Sequence, residues 1–187
     1  MCEIASNLTV KEYRFGRDEE KGDRNDQPRE LVVMIPEVLD PQYGMYVWPC
    51  AVVLAHYIWF HRKLVCGKRV LEIGAGLTWG HVSPSLLTLA PVDLILGSDV
   101  FFEPEDFEDV ISTVHYLMEK NPHAQFWTTY QVRSANWSIE GLLYKWEMES
   151  TCVPLQSFEA NKEQLAGSSL PGMHTIQMMV ISKKINK

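Results

Sequence analysis

The sequence predicts an α/β fold built on a mostly parallel, doubly wound sheet. Three observations predict it. Short apolar runs bounded by turn residues alternate with longer stretches of helical periodicity. The run Val70-Leu71-Glu72-Ile73 stops at Gly74-Ala75-Gly76, so a strand's carboxyl end opens onto two glycines. The chain then closes on two strand patterns, 151–155 and 174–182, with no clear helix between them, which predicts an antiparallel hairpin at the sheet's end and a mostly parallel sheet with one reversed strand.

Composition narrows the class. At 187 residues the chain is long enough for a real core, and 46% hydrophobic with 22% charged residues is globular. A net charge of -7 offers no basic face for nucleic acid and suits a basic peptide or tail instead. Cys2, Cys50, Cys66 and Cys152 form no C-x-x-C pair, and the six histidines show no ligand spacing, so no metal site is expected. Glu3, Lys11 and Glu12 break any apolar leader, and the apolar stretch 51–60 is too short to span a bilayer. The expectation is a reduced, monomeric protein of the cytoplasm and nucleus, with no membrane contact.

In chain order, Val10–Phe15 alternates weakly and reads as a strand. Gly16–Glu30 holds ten charged residues with two glycines and Pro28, a flexible loop. Leu31–Ile35 is a second strand, so 10–38 predicts a hairpin. By composition, residues 1–30 form a strand plus charged loop, and 31–187 the α/β domain. Pro49, after Val47-Trp48, suits a first helical position. The helix 51–60 is apolar on most faces and ends near Arg62-Lys63. Past the glycine turn, Ser83-Pro84 starts a helix of about two turns. Val92–Leu96 is an apolar strand ending at Gly97-Ser98-Asp99. Residues 106–118 form an amphipathic helix, with Phe107, Val110, Ile111, Val114 and Leu117 on one face. Five acids at its entrance, Glu103, Glu105, Asp106, Glu108 and Asp109, complement the helix dipole. Ala124–Tyr130 is a third core strand and Ser138–Trp146 a helix. A loop over 161–172 is expected at the rim of a pocket.

Several of these pieces together resemble the seven-β-strand, S-adenosylmethionine-dependent protein methyltransferases. They are Val47-Trp48-Pro49, Leu71-Glu72-Ile73-Gly74-Ala75-Gly76, Ser98-Asp99-Val100-Phe101-Phe102-Glu103-Pro104, Thr129-Tyr130-Gln131-Val132-Arg133 and the terminal hairpin. The Asp-x-x-Phe step is the most specific of them. The resemblance runs from about Leu31 to Ser182.

The departure from that family is one of length. Asp99 follows Gly76 by only 23 positions, whereas the family order places two strand–helix units there. A βαβ unit takes about 30 residues. The chain therefore reads as a shortened, splice-like form: a Rossmann-like methyltransferase sheet lacking the second and third strand units. Taken without the family, 69–99 also reads as one βαβ unit with Asp99 as a ribose acid, although Leu77–Ala90 offers barely two helical turns. In the shortened sheet, strand 70–73 becomes an exposed edge.

The resemblance implies an S-adenosylmethionine-dependent N-methyltransferase acting on arginine or lysine of a basic protein such as a histone. The alternative is an impaired remnant that binds proteins, chaperones among them, without turnover. Trp48, Glu72, Gly74, Gly76 and Asp99 are the cofactor candidates, with weak binding expected because the ribose-binding segment is absent. Asp99 and Glu103, four residues apart around Phe101-Phe102, are the acids placed to hold the acceptor, and Phe102 a wall for it. Core packing explains Phe101 and Phe102 equally well. Tyr130 and Arg133 are expected at the same rim.

Overall fold

The computed structural model describes residues 8–16, 30–38, 46–74, 77–134, 138–161 and 176–184. By contacts the chain forms two units, Met1–Trp48 and Pro49–Lys187.

The first unit holds β1 (Leu8–Gly16) and β2 (Glu30–Val38), paired antiparallel with Leu8 opposite Val38 and Gly16 opposite Glu30. The ladder places Leu31–Ile35 with the first strand, as the hairpin pattern predicts. The charged connection lies outside the described residues. Period-two alternation puts Tyr13 and Phe15 on one face, and both are buried. Glu37, on that same face, is buried too. Its carboxylate accepts from Tyr13 Oη at 2.7 Å and from the Val47 amide at 3.0 Å. Burial opposes its charge, yet these donors hold the Glu37 carboxyl below the usual range, and the same pairing with burial pushes the Tyr13 phenol up.

The second unit is a five-stranded sheet with both faces covered. Its elements are α1 (Pro49–Phe60), α2 (Arg62–Val65), β3 (Val70–Glu72), α3 (Pro84–Thr88), β4 (Leu94–Ser98), α4 (Phe107–Lys120), β5 (Gln125–Gln131), α5 (Glu140–Lys145), β6 (Met148–Val153) and β7 (Ile176–Lys183). Spatial order is β3-β4-β5-β7-β6. β3, β4 and β5 run parallel, and β7 runs antiparallel to both β5 and β6. The mostly parallel sheet with one reversed strand is as expected, and so is the position of β3 at its edge. β4 pairs with β5, and β5 with the reversed strand, which is the place of the family's fourth strand rather than of a ribose-binding second strand.

Alternation along each strand divides the core. Ile95, Phe126, Met179 and Ile181 face α4, α3 and α5; Leu94, Trp127, Ile176 and Met178 face α1 and the short 3-10 turn Leu155–Phe158. α1 buries one stripe, Cys50, Val53, Leu54 and Tyr57, at helical spacing. Its other apolar side chains are half-buried, so burial is narrower than the all-apolar sequence predicts. α4 buries Phe107, Val110, Ile111, Val114, Leu117 and Met118, extending the predicted face by one residue.

The short crossover from β3 to β4 is pinned to α4. Ser83 caps α3, its hydroxyl accepting from the Leu86 amide. Lys120 Nζ donates to the carbonyls of Leu86, Leu87 and Leu89 at 3.0, 2.8 and 2.8 Å, satisfying the helix's C-terminal acceptors. At the other end of the crossover, the Gly80 amide donates to Asp109 O at 3.1 Å and Thr113 Oγ1 at 2.8 Å. Gly80 takes a φ of 71°, where a Cβ would lie 2.3 Å from Asp109 Oδ1. A crossover with barely more than one turn of helix thus closes by polar contacts to α4 rather than by its own packing.

Candidate functional site

A cleft of about 640 Å³ opens at the carboxyl ends of β3 and β4. This is where ligands bind in doubly wound sheets. Its lining comes from three segments. The turn after β3 contributes Gly74 and then Leu77, Thr78 and Trp79; the end of β4 contributes Ser98, Asp99, Val100 and Phe102; the entrance of α4 contributes Asp106 and Asp109.

Gly74 is a close approach. A Cβ there would fall 2.4 Å from Glu72 Oε1, so the Glu72 carboxylate folds over the glycine. Trp79 Nε1 donates to the Ile73 carbonyl at 2.7 Å, and its ring lies edge-on to Phe102 with centroids 6.4 Å apart. The two aromatic rings flank the mouth. Phe102 is 42% exposed, while Phe101 is fully buried against Phe107, Phe126 and Tyr130. The two adjacent phenylalanines divide the core and pocket roles between them.

Asp99 sits at the centre of the hydrogen bonding. It has a φ of 53°, a left-handed conformation that aspartate tolerates better than most residues. Its amide donates to Thr129 O at 2.8 Å, and the Gln131 amide donates to its Oδ1 at 3.4 Å. Arg133 closes a fork on it, Nη1 to Oδ1 at 3.0 Å and Nη2 to Oδ2 at 2.7 Å. The Asp99 bonds raise the already high pKa of the Arg133 guanidinium. Beneath, burial and the Asp99 charge push the Cys50 thiol up, so it stays protonated. Thr129 Oγ1 donates to Cys50 O at 2.8 Å, fixing the start of α1 against β5.

The structure brings Gly74, Asp99 and Phe102 together at one cleft, with Glu72 beside Gly74. Glu103 lies exposed at the start of the 3-10 turn Pro104–Asp106 and is not among the lining residues. Trp48 belongs to the first unit, where its ring lies 4.8 Å from that of Tyr46. Gly76 and most of the 161–172 loop lie outside the described residues. Tyr130, expected at the rim, is buried, and burial raises its phenol pKa.

Trp79, Asp106 and Asp109 are lining residues that sequence reasoning did not single out. The two aspartates read as helix-dipole partners, yet the Asp106 side chain makes no capping bond. Their i, i+3 spacing, which puts them on one side of the helix entrance, was the available signal. Among the described residues, neither carboxylate has a basic partner. No helix among these residues is long and apolar enough to cross a membrane, and no group of three His, Cys, Asp or Glu among them could hold a metal ion.

Comparison with known proteins agrees with this geometry. Residues 76–139 match a family model described as lysine methyltransferase. Histone-arginine methyltransferase METTL23 of Rattus norvegicus is 51% identical over 201 residues, covering 83% of this chain and 89% of the relative. The Xenopus laevis protein of the same name is 50% identical over 215 residues, with 90% and 88% covered. The Homo sapiens protein is 50% identical over 184 residues, with 74% and 97% covered. The rat alignment takes up 83% of 187 residues, about 155, so about 46 of its 201 positions face a gap in this chain. A deficit of that order matches two absent strand–helix units, each somewhat shorter than a βαβ unit of about 30 residues. With half of the aligned positions identical, in alignments that span 88–97% of these relatives, the chain belongs to the METTL23 family of methyltransferases.

Proposed function

We propose that the cleft is the acceptor site of a protein N-methyltransferase that modifies arginine in a basic protein such as a histone, with S-adenosylmethionine, the donor the family implies, as methyl source. The observation that carries this reading is the combination at one mouth of two aromatic rings, Trp79 and Phe102, with the carboxylates of Asp99, Asp106 and Asp109. Aromatic faces and carboxylates both attract a cation, and a guanidinium with a pKa above 12 needs acids to hold and polarise it. The names of the relatives, histone-arginine methyltransferase, support arginine over lysine.

The residues present fit one half of the donor. Gly74, Leu77, Thr78 and Trp79 line the cleft at the end of β3, with the Glu72 carboxylate folded against Gly74, and these are the residues that would hold the methionine end. For the nucleoside end the fit fails among the described residues. β3 is the sheet's edge, so no strand on its outer side presents a carboxylate to a ribose diol, and Asp99 on its inner neighbour β4 is taken by Arg133. When bound, the donor supplies an electrophilic methyl group on a sulfonium sulfur. The chain's own contribution is to orient the acceptor nitrogen on Asp99, accept the proton it releases or pass it to solvent, and exclude water with Trp79 and Phe102.

The missing edge supports a second reading in which the chain retains the acceptor surface and binds basic proteins, or chaperones, with little turnover. Cytoplasm and nucleus remain the proposed location; the described cysteines, Cys50, Cys66 and Cys152, are free thiols. One experiment tests the reaction. Incubation with a histone-tail peptide and saturating donor, followed by mass spectrometric mapping, should place the methyl group on arginine. Asp99→Asn should abolish it, and Glu105→Ala, at the exposed 3-10 turn, should not. Methylation of lysine alone, or equal loss in both variants, would overturn the assignment.

A further inference from the structure

We infer that Arg133 is an internal stand-in for the acceptor: its guanidinium occupies the carboxylate of Asp99 that an incoming arginine has to engage, and so holds the site shut until a peptide displaces it. This rests on the reading of Asp99 as the acceptor's carboxylate. The fork is the geometry that an arginine substrate would make, two parallel N–H···O bonds at 3.0 and 2.7 Å. Asp99 is the only one of the three lining aspartates so occupied among the described residues; no basic group pairs with Asp106 or Asp109.

Two features make the pair displaceable rather than a fixed strut. The Arg133 side chain is 28% exposed while that of Asp99 is 11% exposed, so the carboxylate is the more enclosed partner and the cation the more open one. Arg133 also lies beyond the last ladder residue of β5, Gln131, in a stretch with no regular pairing. Losing its partner outright would leave the largely enclosed Asp99 charge uncompensated, which is costly. Exchanging one guanidinium for another avoids that cost. A tethered competitor acts at an effective concentration of order millimolar, and lowers the apparent affinity of any ligand that needs the same carboxylate. Lysine-bearing and arginine-bearing peptides both meet this threshold, but an ammonium offers no fork with which to replace the one it breaks.

The test measures acceptor binding without turnover. Fluorescence anisotropy of a labelled basic peptide carrying one arginine should show about tenfold tighter binding to Arg133→Ala than to the unaltered chain, as removal of a tethered competitor requires. Arg133→Lys should give a smaller gain and guards against a misfolded alanine variant; circular dichroism and urea unfolding confirm that each is folded. Methylguanidine should compete with the peptide more effectively in Arg133→Ala than in the unaltered chain. Adding Asp99→Asn to Arg133→Ala should remove the gain. If Arg133→Ala and Arg133→Lys bind the peptide no more tightly while the double variant binds more weakly than Arg133→Ala, the stand-in role is wrong and Asp99 still holds the acceptor. If the double variant binds as Arg133→Ala does, Asp99 is not the acceptor's carboxylate, and both readings fall.

Discussion

The indole Nε1 of Trp79 donates a 2.7 Å hydrogen bond to the carbonyl of Ile73, joining the far side of the glycine turn to the end of β3. In a complete sheet of this kind, further strands would flank β3. Here the edge is held at its carboxyl end by a side chain from the shortened crossover, which also presents its ring to the cleft beside Phe102. One residue therefore serves both the fold and the site.

Trp79→Phe keeps most of the ring and removes the bond. It should cost about 1 kcal/mol, the usual net value of a neutral hydrogen bond. Trp79→Ala removes the ring as well and should cost about 2–3 kcal/mol, below the range for fully buried aromatics because the indole is half-buried. Urea unfolding of the two variants measures both. Indistinguishable stability of Trp79→Phe and the unaltered chain would mean that the bond contributes nothing to holding the turn.

The strands were legible because each carries its own signature: an apolar run with flanking turn residues needs no partner to be recognised. The short helix was equally plain, since Ser83-Pro84 combines a cap with a residue suited to the first turn, and the hydroxyl of Ser83 does accept from Leu86. Asp99 was visible through the Asp-x-x-Phe step, and the edge position of β3 through the 23-residue count. What remained hidden depends on contacts between distant residues. Nothing local distinguishes Phe101, buried in the core, from Phe102 at the mouth; the turn after β4 decides it. Nor does the spacing of 34 residues between Asp99 and Arg133 reveal their fork, which exists because β5 runs alongside β4. Lys120 is similar. It ends α4, yet it caps a different helix, α3.

A second prediction concerns acid. Glu37 holds the Val47 amide and the Tyr13 hydroxyl, and these donors keep its folded pKa below the unfolded value despite burial. A depressed folded pKa means that its contribution to stability is complete above the unfolded glutamate pKa of about 4.3, and is lost as pH falls through the lower folded value. The Glu37 carboxyl resonance should therefore titrate below a free glutamate. Hydrogen exchange at the Val47 amide should be slow at pH 7 and quicken only as pH falls below the free-glutamate range, after correction for intrinsic rates. Glu37→Gln should abolish that pH dependence. A carboxyl titrating at or above the free value would show that burial, not hydrogen bonding, governs the site.

The last prediction follows from the edge. S-adenosylmethionine should bind this chain far more weakly than it binds a METTL23 relative that carries the missing positions. Gly74 and the wall from Leu77 to Trp79 offer contacts to the methionine end only, and the sheet ends at β3. A carboxylate on a ribose diol makes charge-assisted hydrogen bonds worth roughly 1.5–3 kcal/mol each. Losing two of them together with adenine burial weakens affinity about a thousandfold, at a factor of ten for each 1.4 kcal/mol. Calorimetry on monodisperse protein, beside the rat relative as reference, measures the difference directly. Grafting the relative's roughly 46 unmatched positions into the crossover should restore most of it. Micromolar binding by the 187-residue chain as it stands would overturn the prediction. It would mean that a carboxylate of the cleft, Glu72 beside Gly74 or Asp99 released from Arg133, takes the ribose in place of the absent strand.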